Sequence, residues 1–271
     1  ALPERERRFA LAVCTHIDAD HIEGLIRLFG EPALGCRYEE VWYNAWPQVS
    51  GGQPASFGAL QGEYLAALLG RIDVPWNEAF TKRGGVRTAA VANDLAPIAL
   101  PGGAQVTLLS PGGAELDALA KVWDRELERA GLAPDDPEEA LARLKADRKF
   151  KAHVSFGIEG PDPRALAAAP FDEDHGAPNG SSIAFLLEAG GRSALLLGDA
   201  HPGVLVANID RLLAKRKLAR LAVDLVKLPH HGSENNLNRE LMARIAADRW
   251  LFSSDGTFFN HPDPEAVARV I

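Results

Sequence analysis

The chain reads as an α/β protein on two observations. From residue 183 onward, apolar runs of strand length alternate with stretches of helical period, and polar residues stand at the strand ends. Near the start, the apolar run Phe9 to Cys14 leads into Thr15-His16-Ile17-Asp18-Ala19-Asp20-His21. Ile22, Leu25, Ile26 and Phe29 then fall at i, i+3, i+4 and i+7, one face of an amphipathic helix. A strand-to-helix turn of this kind is where α/β proteins aim functional side chains.

The remaining elements follow in order. Val41 to Trp46 is a strand-like aromatic run closed by Pro47. Trp42 and Trp46 read as core aromatics, with a ring platform for a substrate base as the alternative. Gly51-Gly52 marks a loop, and Phe57 to Leu69 reads as a helix with Leu60, Tyr64, Leu65 and Leu68 on one side. Residues 70–103 are irregular, and Gln105 to Leu109 reads as a strand stopped by Ser110-Pro111. Within 114–150, two helices, Leu116–Ala130 and Pro137–Lys149, read as an inserted hairpin, either a lid or partner surface or a solvated excursion. Residues 151–180 are rich in proline and loops, and Asp172, Asp174 and His175 read there as a flexible acidic loop rather than metal ligands. Ile183–Glu188 and Ser193–Leu197 around Gly190-Gly191 predict a β-hairpin that delivers Asp199. Leu205, Ile209, Leu212 and Leu213 predict a helix, and Leu221–Leu228 a strand that delivers His230. Leu237, Leu241 and Ile245 predict a further helix, Trp250–Ser253 a strand, and Pro264–Ile271 a helix. Side-chain alternation along the 221–228 strand predicts that Lys227 points away from His230. His153 and His201 read as structural.

The composition excludes several classes. With 271 residues, 46% of them hydrophobic and 24% charged, the chain can bury a large core and is not a disordered polymer. A formal net charge of −8 argues against broad nucleic-acid binding through a basic surface, though not against a local groove. Two cysteines, Cys14 in the first strand and Cys36, do not make a disulfide framework and fit a reduced, cytoplasmic setting. No apolar run of membrane-spanning length and no leader peptide are visible, so a soluble protein without a membrane partner is expected.

The chemistry concentrates at residues 16–21. Two imidazoles and two carboxylates within that turn form a ligand set for hard or borderline divalent metals, imidazole suiting zinc and carboxylate oxygen suiting manganese as well. Downstream, Leu195-Leu-Leu-Gly-Asp199-Ala200, Val226-Lys-Leu-Pro-His230-His231-Gly232-Ser233 and Asn260-His261-Pro262 answer it.

His16-x-Asp18-x-Asp20-His21-x-x-Gly24 resembles the HxHxDH signature of the metallo-β-lactamase superfamily, in the variant with Asp at the second ligand position. With the three later segments it looks most like the hydrolases of the ComEC-like competence-protein branch. The resemblance covers 9–30 and 179–271 and says little about 35–170. It implies one metallo-β-lactamase-like αββα sandwich over 1–271, interrupted by the 114–150 insertion and lacking its N-terminal strands. Only 15 residues precede the first motif, so a fragment, or one polypeptide of a split protein, is expected. A second copy or a partner chain would then supply the missing strands.

By the same resemblance, His16 and Asp18 look like ligands of one metal, Asp20 and His21 of a second, Asp199 the bridging carboxylate and His230 the remaining ligand, with Asp20 also catalytic. Between His230 and His231 the ligand assignment stays open. His231 and His261 are the candidates to bind a phosphate or protonate a leaving oxygen, and Ser233 to donate to the same phosphate. For His261 the alternative is a plain helix N-terminal turn residue before Pro262. The expected cofactors are two divalent ions, Zn or Mn. Asn179-Gly180-Ser181-Ser182 stands where lactamase-type members carry a third metal motif, so a β-lactamase proper is not expected. The expected activity is metal-dependent hydrolysis of a phosphodiester, in DNA or a nucleotide, by a metal-activated water. The alternatives are another small phosphoester or ester, and a metal-binding interaction module that has lost turnover.

Overall fold

The computed structural model describes residues 3, 6–49, 60–72, 74–81, 89–130, 162–254 and 261–271. The protein is mixed α/β and forms two compact units. The first comprises Ala1–Val91, Leu100–Gly102 and Gly112–Arg148, the second Ala92–Ala99, Gly103–Pro111 and Lys149–Ile271.

In unit 1, β1 (Arg8–Phe9) and β2 (Ala12–Val13) lead into α1 (Ala19–Gly30), followed by β3 (Arg37–Tyr38), β4 (Val41–Trp42), α2 (Trp46–Val49), α3 (Leu60–Arg71) and α4 (Gly113–Ala130). The run from Phe9 to Cys14 is not the single buried strand its apolarity predicts. It is broken because β1 pairs with β3 and β2 with β4, two separate parallel ladders. Phe9 is exposed, Ala12 and Val13 are half-buried, and only Cys14 is fully enclosed. The α1 periodicity holds: Ile22 and Phe29 are buried, and Leu25 and Ile26 pack against the same core. Trp46 and Tyr43 belong to that core with Leu65, Leu69 and Trp123. Trp42 is likewise 0% exposed, so neither tryptophan is a ring platform. Trp46 starts a helical turn rather than ending a strand. The first helix of the expected hairpin is α4; the second, 137–149, and His153 lie outside the described residues.

Unit 2 is built on one six-stranded mixed sheet: β5 (Ile98–Ala99), β6 (Gln105–Ser110), β7 (Ala184–Ala189), β8 (Arg192–Leu196), β9 (Leu221–Lys227) and β10 (Ile245–Leu251), in the order β10-β9-β8-β7-β6-β5. The β5 to β8 neighbours are antiparallel, and β8-β9 and β9-β10 are parallel. Gly190 and Gly191, both at positive φ, form the two-residue turn of the β7-β8 hairpin, the backbone that a type I′ turn demands. The helices of this unit are α5 (Pro163–Ala167), α6 (Ala177–Gly180), α7 (Pro202–Arg216), α8 (Arg239–Arg244) and α9 (Pro264–Val270). The apolar stripe predicted for α7 is buried at Leu205, Ile209, Leu212 and Leu213. Ile245 is not the end of α8, as its spacing from Leu241 predicts. It opens β10, buried at a position where the i+4 spacing coincides with a strand's inward face. Among the described residues no helix is long and apolar enough to cross a membrane.

Candidate metal centre

Each unit gathers its own share of the residues singled out by sequence. In unit 1 the first set sits between β2 and the first turn of α1, where Asp18 takes the N-cap position and accepts the amides of His21 and Ile22 at its carbonyl. His16 is buried and His21 largely so, while Asp18 and Asp20 stand more open. The two imidazoles lie with ring centroids 4.2 Å apart. His16 Nε2 is 3.5 Å from Asp18 Oδ2, and His21 Nε2 is 3.6 Å from Asp20 Oδ2. Thr15 Oγ1 lies 3.1 Å from His16 Nδ1 and 3.0 Å from His21 Nδ1. One hydroxyl oxygen has two lone pairs and can accept from both rings, leaving each Nε2 as the ligating nitrogen. The Cys14 thiol donates to the His16 carbonyl, and burial pushes its pKa far up, so it serves as a tether rather than a nucleophile.

Unit 2 holds the second set. Asp199 follows the end of β8 and is 2% exposed, its amide donating to Ser182 Oγ. His230 Nε2 and His231 Nε2 each lie 3.9 Å from Asp199 Oδ2. The histidines occupy a tight turn, His230 to Gly232, in which all three residues have positive φ: 44°, 54° and 89°. Non-glycine residues rarely adopt this conformation, which costs roughly 1–3 kcal/mol each and is found mostly at functional sites. The turn is held from both sides. His230 Nδ1 meets Asn236 Oδ1 at 2.8 Å, and His231 Nδ1–H donates to the Ser253 carbonyl at 2.6 Å. His261 stacks edge-on to His230 at 5.4 Å and donates from Nδ1 to Asp263 Oδ1 at 3.2 Å. Ser233 is buried, and its Oγ accepts the Asn235 amide at 3.2 Å.

Two sequence expectations change here. Lys227 does not point away: its Nζ is 3.9 Å from Asp199 Oδ1 and donates to the Gly198 carbonyl at 3.3 Å. The alternation argument fails because β9 stops at Lys227, and Leu228-Pro229 turn the chain before His230. Nor is the 172–175 stretch a loose acidic loop. Asp174 accepts from Gly176 N at 2.8 Å, Asn179 Nδ2 at 2.7 Å and Asn236 Nδ2 at 3.1 Å, and stands 3.4 Å from His230 Nδ1. His201, as expected, is structural: it bonds the Gly176 carbonyl, and a side chain at Gly180 would meet its ring at 2.6 Å. Within the segment Asn179–Ser182, the Asn179 amide holds Asp174 and the Ser182 hydroxyl holds the Asp199 backbone. Sequence reasoning gave no role to Thr15 or Asn236, placed Asp174 in a flexible loop and turned Lys227 away from the site. For Asp174 and Asn236 no local signal exists, since they meet across 62 positions.

The donor chemistry suits divalent ions. The ligand atoms of His16 and His21, and those of Asp20 and His21, lie within 4.8 Å, and the structure contains His/Asp groups that could hold a metal ion. The imidazoles of His16, His21, His230, His231 and His261 each have Nδ1 engaged by a neighbour, an arrangement that leaves Nε2 available to a metal.

Burial alone would lower the His230 pKa, but hydrogen bonding to Asp174 and the charge of Asp199 outweigh it and raise it from 6.5 to about 9 in the metal-free protein. For Asp174, burial works upward, but its bonds to His230, Gly176, Asn236 and Asn179 hold the carboxyl well below the usual range. The folded pKa of His230 lies above its unfolded value. Its stabilisation is therefore complete below 6.5 and is lost as pH rises through about 9. Metal-free wild type is expected to lose thermal stability between pH 7 and pH 10 relative to His230→Gln, and parallel melts across that window check it.

No family model matches the chain, and no curated protein matches it.

Proposed function

We propose that this chain is a metal-dependent hydrolase of metallo-β-lactamase type, with the αββα architecture of that superfamily, and that it cleaves phosphodiesters in DNA or a nucleotide. The observation that carries the reading is the shared arrangement of the imidazoles. Each has Nδ1 occupied by a hydroxyl, amide, carbonyl or carboxylate oxygen, in the motif order His16–His21, Asp199, His230–His231, His261. An imidazole held at Nδ1 leaves Nε2 free, for a metal at His16, His21 and His230 and for a phosphate or leaving oxygen at His231 and His261.

On this reading the ligands of two ions, Zn or Mn, come from His16, Asp18, Asp20, His21, Asp199 and His230. When bound, such ions polarise phosphoryl oxygens and lower the pKa of water to about 7. The chain's own residues do the rest. Asp20 accepts the proton of the attacking water. His261, hydrogen-bonded to Asp263 through Nδ1, donates a proton to the departing oxygen, and His231 with Ser233 orients the phosphate. Lys227 adds a positive charge beside Asp199. The absence of a third-motif histidine favours one competing reading, a metal-binding module without turnover.

Elemental analysis beside hydrolysis of bis-p-nitrophenyl phosphate separates the two. Metal near two ions per chain, turnover abolished by chelator and restored by Mn²⁺, is expected of the hydrolase. Bound metal with no turnover under any supplement would establish the module instead.

A further inference from the structure

The hydrogen bonds around His230 fix more than its position. Asn236 Nδ2 faces two groups that can only accept: the Asp174 carboxylate oxygen Oδ2 at 3.1 Å and the Asp199 backbone carbonyl at 3.2 Å. The amide is therefore pinned with its NH₂ towards them and its oxygen towards His230. An amide oxygen only accepts, so the nitrogen 2.8 Å away, His230 Nδ1, must carry a proton. Asp174 Oδ2, 3.4 Å from the same nitrogen, is also an acceptor. Asp174 is itself immobilised by the amides of Gly176 and Asn179, and its own N–H donates to the Asn235 carbonyl.

We infer that Asp174, acting through the Asn236 amide, is a positioning residue that locks His230 in its Nδ1–H form and so presents the Nε2 lone pair towards Asp199. The carboxylate sets the amide, and the amide sets the tautomer. The consequence for metal binding rests on the reading of His230 as a ligand; the tautomer itself does not. Hydrogen-bond partners that orient a ligating imidazole in this way are worth roughly 10–100-fold in metal affinity or activity.

Asp174→Asn keeps the shape and the acceptor for Gly176 but turns a donor towards the Asn179 and Asn236 amides, so only the Asp199 carbonyl is left to hold the Asn236 NH₂ and a flipped amide becomes competitive. Asn236→Ala removes the relay directly. Asp172→Asn, which keeps the backbone carbonyl that accepts from Asn235, is the control. The experiment is long-range ¹⁵N–¹H NMR of the His230 ring in the metal-free protein, in alkaline buffer where the ring holds one proton, together with Zn²⁺ affinity by competition with a chromophoric chelator. The expected result is a single Nδ1–H form in wild type and in Asp172→Asn, and mixed tautomers in Asp174→Asn and Asn236→Ala with Zn²⁺ affinity lower by about 10–100-fold. An Nε2–H form in wild type, or a single Nδ1–H form retained in either variant, overturns the inference. Should wild type bind no Zn²⁺ while the tautomer scrambles in both variants, the positioning role stands and the metal-hydrolase reading falls.

Discussion

Replacing Asp199 by Asn is expected to lower kcat on a phosphodiester by about 10³-fold or more, equivalent to roughly 4 kcal/mol of barrier. The substitution keeps the side-chain shape and leaves the Asp199 amide on Ser182 Oγ, so the turn between β8 and α7 survives. What it removes is a buried negative charge. That charge faces His230 and His231 at Oδ2 and Lys227 at Oδ1, so one carboxylate compensates three basic groups. Without it, the neutral amide oxygen is a poor ligand for a hard cation, and His230, His231 and Lys227 lose the charge that faces them. Steady-state assays, metal content and thermal melts taken together check the result. Near-wild-type turnover in the folded variant would remove the proposed hydrolase chemistry.

Gly232→Ala is expected to have the largest effect on stability. Gly232 has φ +89°, where an L side chain is strained, and the added Cβ would lie 2.6 Å from Phe252 Cδ1 and 2.8 Å from Pro262 Cβ. Neither neighbour gives way easily, because the chain on the Pro262 side is held by the Asp263 amide donating to the Gly232 carbonyl. Strain and overpacking together amount to about 2–4 kcal/mol, which corresponds to roughly 5–15 °C in Tm for a unit of this size. The same change would swing His230 and His231 away from Asp199, so Zn²⁺ affinity should fall with Tm. A melt within a degree or two of wild type would show that the His230–Gly232 turn has an alternative packing.

Much of the fold was legible because the signals were local. The i, i+3, i+4, i+7 stripes of α1 and α7 and the Gly190-Gly191 hairpin are each specified within a dozen residues, and all appear where the sequence places them. Elements whose form depends on a distant partner were less legible. Phe9 to Cys14 is apolar enough for one strand but is divided between two ladders by β3 and β4. Ile245 satisfies a helical period and yet is claimed by β9, whose Leu221 pairs with it. The candidate site divides in the same way. Its candidate ligands stand in recognisable motifs, whereas the groups that meet their ring nitrogens, Asp174 at His230 and Ser253 at His231, are ordinary polar residues far along the chain. The parity argument for Lys227 assumed a strand continuing to His230, and the strand's end at Lys227 is a tertiary fact.

The lacing of the 172–179 segment to the 233–236 segment also orders events in time. Asp174 meets Asn236 across 62 residues, and Asp199 meets Asn236 across 37. Contacts of such span form only after the intervening sheet has brought the two loops near, since each demands the closure of a long loop first. During refolding, hydrogen-exchange protection is therefore expected at β7 and β8 before it is seen at the amides of Asp174, Ser233 and Asn236. A chain emerging from the ribosome would carry all the imidazoles of its first motif long before His230 acquires a defined tautomer. If the proposed metal reading holds, ligation through His230 is thus a closing step of maturation rather than a seed for it.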